Sequence, residues 1–145
     1  TISDSDLVII DLGAQINGYI ADTAVTVCYD SQFDMLVQTA EDALNDAMSM
    51  MKIGVKSSDI GKSITHKFAS KGHDILLAAR RSHELESFSE QIKSNYSVTV
   101  EKYEFDILLT DKHLQFINDL DKFFPDRFAS RILDVVDAYS TFEDR

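Results

Sequence analysis

The 145-residue chain has one cysteine, one proline, five glycines and no tryptophan. A lone Cys28 excludes an internal disulfide and any multi-cysteine zinc cluster. Its place in a strand pattern predicts a small buried core residue and not a reactive thiol. A single cysteine also suits a reducing, cytoplasmic type of composition. With Pro125 the sole proline, no linker, repeat or low-complexity stretch interrupts the chain. No apolar run approaches twenty residues, so no transmembrane span is predicted, and no signal-peptide pattern opens the sequence. Positive charge is scarce as well. Lys and Arg number 14 against 25 Asp and Glu, a formal net charge of −11. Acidic residues exceed basic ones on both sides of Gly72. A field of that sign argues against nucleic acid and anionic membranes as partners.

What is present is a close succession of strands and helices. Residues 7–13 (LVIIDLG) and 19–28 (YIADTAVTVC) read as strands. Asn17-Gly18 between them is a strong hairpin signal, because a type I′ turn needs positive φ at both positions. Ser31 can cap a helix, with Asp34 three residues on. That helix carries Phe33, Leu36, Val37, Ala40, Ala43, Leu44, Ala47, Met48 and Met51 as its apolar stripe and closes at Gly54. Its methionines are expected in the core. A second helix runs from near Ser58 through Ile60, Ile64 and Phe68 to Gly72. The run DILLAA (74–79) is continuously apolar, as a parallel strand covered on both faces would be. A third helix starts near Ser82. The strand SVTVEKYEF (97–105) changes alternation phase between Val100 and Tyr103, which predicts a bulge. Thr110 and Asp126 can cap two further helices. The expected fold is α/β: a single domain over 1–145 in the order ββααβαβαα. It has five helices and a mixed four-stranded sheet, built from the N-terminal hairpin and a parallel βαβ unit.

With a two-residue turn, cross-strand partners in the hairpin have numbers summing to 35, so Asp11 faces Ala24 and Asp22 lies two residues away on the same face. The two carboxylates are diagonal neighbours, roughly 7–8 Å apart at Cα. So placed, they suit a divalent cation, which prefers hard oxygen ligands. Residues 6–59, with DLVIIDLGAQINGYIADTAVTV followed by a helix and IGVKSSDIG, resemble the methionine aminopeptidases of the pita-bread fold. The resemblance implies that Asp11 and Asp22 ligate two metal ions, completed by a histidine and two glutamates from later in the fold. Nothing after residue 60 follows that pattern, and His66, His73, His83 and His113 are not in matching contexts. Two carboxylates alone leave most of a cation's coordination to water.

Residues 60–107 (IGKSITHKFASKGHDILLAARRSHELESFSEQIKSNYSVTVEKYEFDI) resemble the early, Rossmann-type part of short-chain dehydrogenase/reductases, and 111–124 continue the likeness. This implies that Arg80 and Arg81 hold the 2′-phosphate of NADP and that Asp106 lies near the adenine. Asp59 stands where a glycine should admit the pyrophosphate, and no Tyr-x-x-x-Lys occurs. Residues 128–145 (FASRILDVVDAYSTFEDR) resemble the end of HD-type phosphohydrolase domains, which implies a metal-ligand role for Asp137, but the His-Asp pair of that family is missing from its metal-site context.

Three partial sites in one chain lead to a definite expectation. The chain should be a chimera of segments 1–59, 60–125 and 126–145, engineered or recombined, with no enzymatic function and no cofactor. The alternative is a weak NADP or adenine-nucleotide binder through Arg80, Arg81 and Asp106, with Asp11 and Asp22 a vestigial metal pair. A spliced core leaves edges or faces uncovered, which leaves room for a homodimer.

Overall fold

A computed structural model describes residues 2–80, 82–106, 108–109 and 112–123. The chain is α/β and divides into two units, residues 1–73 and 74–145. The first contains strands β1 (Val8–Ile16) and β2 (Tyr19–Val27) and helices α1 (Asp34–Met50) and α2 (Ser57–Ser70). The second contains β3 (Ile75–Ala79), α3 (Glu86–Asn95), β4 (Val100–Glu104) and α4 (His113–Phe123). Among the described residues no helix is long and apolar enough to cross a membrane.

In the first unit, β1 and β2 form an antiparallel hairpin in which Asp11 pairs with Ala24 and Gly13 with Asp22, the register expected from a two-residue turn. Asn17 and Gly18 adopt φ of 53° and 86°, as a type I′ turn requires. The chain leaves β2 through a 3-10 turn over Ser31–Phe33. Asp30, not Ser31, caps that turn, its carboxylate accepting from the Gln32 N–H at 3.0 Å. α1 and α2 then pack together. Thr39, Ala43 and Ala47 are buried on α1, four residues apart, and Ala69 is buried on α2. Small residues here let the two helices approach closely. Lys67 bridges to Asp46 at 2.8 Å, and the Thr39 hydroxyl donates to the Met35 carbonyl at 2.6 Å.

The methionine expectation fails: Met48 and Met51 are exposed, as are Leu36 and Leu44. The apolar stripe of α1 is wider than the strip that α2 covers. Cys28 is half-buried, its Sγ 3.7 Å from the Asp30 carbonyl. α1 also ends at Met50, ahead of Gly54, although Gly54 takes the positive φ (89°) of a chain reversal.

In the second unit β3 and β4 are parallel neighbours, Ile75 opposite Val100 through Ala79 opposite Glu104, joined through α3. The pairing runs without the expected bulge, and β4 starts at Val100 because Thr99 is engaged with Asp74 and Ile75. Leu77, Phe88, Ile92, Val100 and Leu120 form the core. α4 is tied to β4 by stacking of Phe105 on Phe116, centroids 4.3 Å apart, and by the Tyr103 hydroxyl, which donates to Asp119 at 2.6 Å.

The expected four-stranded mixed sheet does not form among the described residues. Among the described residues there are two separate two-stranded sheets, β1–β2 and β3–β4. A type I′ turn specifies a hairpin locally, but nothing in these strands specifies which edge a distant strand should join. Four of the five expected helices are present; the fifth, from Asp126, lies outside the described residues.

Candidate metal centre

The site is built on the hairpin. Residues of β1 and β2 alternate between two faces. One face carries Ile9, Asp11, Gly13 and Gln15 against Thr26, Ala24, Asp22 and Ile20. Asp11 and Asp22 are therefore diagonal across one strand pair, on one face, and both are exposed. Gly13 opposite Asp22 and Ala24 opposite Asp11 are small, so nothing bulky stands between the carboxylates. Two acceptor-only groups in this arrangement suit a divalent cation, and the donor set fits that group chemically. Among the described residues no third His, Cys, Asp or Glu joins them.

His73 and His113 have other partners. His73 Nε2 lies 3.3 Å from the Thr39 hydroxyl. That hydroxyl already donates to the Met35 carbonyl, so it accepts from the ring. The His73 ring also meets Phe68 edge-on. His113 packs against Phe105, centroids 5.5 Å apart.

Residues 1–103 match metallopeptidase family M24. The chain belongs to metallopeptidase family M24. A methionine aminopeptidase of Pyrococcus horikoshii is 42% identical over 71 residues, which cover 49% of this chain and 24% of that protein. One from Archaeoglobus fulgidus is 43% identical over 72 residues, 50% of this chain and 24% of the relative. A methionine aminopeptidase 2 of Lachancea thermotolerans is 41% identical over 59 residues, 41% of this chain and 14% of the relative. The chain thus spans about a quarter or less of the length of these relatives. No solved structure matches it.

Two expectations are corrected by this membership. The M24 match runs through residue 60 to residue 103, so a family boundary at 59–60 does not hold. The expectation of a non-enzyme, and its alternative of a nucleotide binder, are overturned, because the family and the relatives are peptidases. An incomplete ligand set suggested a lost activity. Two ligands are equally what a quarter-length stretch of such a protein can carry.

The residues assigned to a nucleotide lie on the second unit. Arg80 follows the carboxyl end of β3 and is exposed. Asp106 follows the carboxyl end of β4, and its carboxylate is spent on the Leu108 N–H at 3.0 Å, closing a local turn. Arg81 and Asp137 lie outside the described residues. Asp59 sits in the first turn of α2.

One ionisable pair escaped sequence reasoning. Tyr103 and Asp119 are hydrogen-bonded, and Lys122 also reaches Asp119. The Lys122 ammonium, then the Tyr103 hydroxyl, hold the Asp119 carboxyl below the usual carboxylate range. The bond to Asp119 and, secondarily, burial push the Tyr103 hydroxyl up. The available signal was Asp119 three residues beyond Phe116, on the helix face that meets β4.

Proposed function

We propose that this chain carries the metal-binding hairpin of an M24 aminopeptidase, with removal of an N-terminal methionine as the reaction. The supporting observation is the placement of Asp11 and Asp22 on one face of β1–β2, in a chain of this family. Asp11 and Asp22 would hold a divalent cation through carboxylate oxygens. When bound, such a cation supplies Lewis acidity toward a peptide carbonyl. The type I′ turn fixes the register that keeps both carboxylates on the same face.

The test is calorimetric titration of the chain with Mn²⁺ or Co²⁺, alongside an assay for methionine released from a short Met-Ala peptide. Saturable binding is expected, abolished by Asp11→Asn and by Asp22→Asn, with metal-dependent release of methionine lost in both variants. Binding unchanged by either substitution would remove the hairpin from the site. Methionine release no faster than in Asp11→Asn would remove the peptidase reading.

A further inference from the structure

Gly18, Gly54 and Gly72 take positive φ, and Gly61 lies inside α2. Gly13 does neither. It stands in the interior of β1 without positive φ, and a Cβ there would meet no atom within 4 Å. Neither torsion nor crowding therefore requires a glycine at this position. A glycine inside a strand weakens it, because it loses the most freedom on folding and has no side chain to pack. Such a glycine marks a bulge, a barrel corner or the close approach of a ligand. The register runs unbroken from Val8–Val27 to Ile16–Tyr19, so there is no bulge, and a two-stranded hairpin has no barrel corner. Close approach of a ligand is what is left. The neighbours of Gly13 say which ligand. On the aspartate face the pairs Asp11–Ala24 and Gly13–Asp22 form a rectangle. Asp11 and Asp22 hold one diagonal of it, Gly13 and Ala24 the other.

We propose that Gly13 is a positioning residue of the candidate metal centre: it keeps one flank of the Asp11–Asp22 pair free of any side chain. The inference rests on the reading of Asp11 and Asp22 as cation ligands. Two carboxylates offer at most four oxygens, and a hard divalent cation takes about six. The remaining positions belong to water and to the carbonyl of a peptide substrate, and these need room beside the carboxylates. Cβ atoms of directly opposite residues in an antiparallel pair stand about 4.5–5.5 Å apart. A branched apolar side chain at position 13, directly opposite Asp22, would therefore fill that room and exclude water from it. Ala24 keeps a methyl group on the other flank, so the more open approach lies over β1. The strand gives up stability at Gly13, and the site gains access.

The experiment is calorimetric titration of the full chain with Mn²⁺, with amide exchange measured on the same samples. The variants are Gly13→Leu, Gly13→Ala, Ala14→Leu and Asp11→Asn. Ala14 is the next residue along β1 and lies on the opposite face, so Ala14→Leu adds bulk away from the aspartates. Gly13→Leu is expected to weaken Mn²⁺ binding on the order of tenfold. At the same time the amides of β1 and β2 should become roughly two- to fivefold better protected, because a strand glycine is gone. Gly13→Ala should gain similar protection with a smaller loss of affinity, and Ala14→Leu should leave affinity unchanged. Affinity and protection that fall together in Gly13→Leu and in Gly13→Ala would mean that the strand itself needs the glycine, which overturns the proposal. Wild-type affinity in Gly13→Leu overturns it too, and leaves the reading of Asp11 and Asp22 standing if Asp11→Asn still abolishes binding. If Gly13→Leu loses the protected amides of the hairpin, Gly13→Ala decides alone, and wild-type affinity there is the overturning result. An equal loss in Ala14→Leu overturns the proposal as well. A wild-type chain that binds no Mn²⁺ overturns both this inference and the reading beneath it.

Discussion

Gly18 sits at φ 86° with open space where a Cβ would stand. Replacing it by alanine meets no clash, so the cost is purely conformational, about 1–2 kcal/mol for a left-handed position. Gly18→Ala is expected to weaken the hairpin by that amount, read as reduced amide protection across β1 and β2. Metal affinity should fall in parallel, because Asp11 and Asp22 share a face only in this register. The Tyr103–Asp119 pair makes a second prediction at this scale. Asp119 titrates below its usual range, so its contribution is present above a pH of about 4 and is lost as pH falls through the lowered value. Tyr103 titrates above its usual range, so its contribution is complete below a pH of about 10 and is lost as pH rises through the raised value. Tyr103→Phe should therefore flatten the alkaline limb of a stability–pH profile. It should leave part of the acid limb, since Lys122 still reaches Asp119.

Elements depend on fewer residues than their patterns suggest. Ile92 is fully buried on α3, in the same core as Leu77 and Val100 of the strand pair. Ile92→Ala is expected to cost about 2–5 kcal/mol, the usual range for truncating a core isoleucine, measured by urea denaturation. The hairpin and the β3–α3–β4 crossover were legible in the sequence, because each is specified locally. Asn17-Gly18 sets one turn and its register, and a short apolar run followed by a helix sets the other. Whether the four strands would join one sheet was not legible. Edge pairing is written in no short stretch, and β1–β2 has its backbone partners without β3. The covered side of α1 was equally hidden. Its periodicity marks a broad apolar stripe, but α2 buries only the Thr39, Ala43 and Ala47 strip and leaves Leu36, Leu44, Met48 and Met51 in water. Of the candidate metal centre, the two aspartates and their shared face were readable from spacing alone. Whether two carboxylates signified a remnant or a working half was not. That distinction rests on how much of the family the chain represents, a property of no single residue.

At the scale of the whole molecule, charge and burial act against each other. The chain carries −11, and charge of one sign repels itself more in the compact state than in the open one. The screening length shortens from about 30 Å at 0.01 M to about 3 Å at 1 M, which weakens that repulsion. The apolar core around Ile92 has no charges for salt to screen. Stability is therefore expected to rise as sodium chloride is raised from low to high concentration, and sulfate should raise it further by favouring burial. Urea denaturation across that range checks this. Stability that falls with salt would mean that surface ion pairs such as Lys67–Asp46 outweigh the net repulsion.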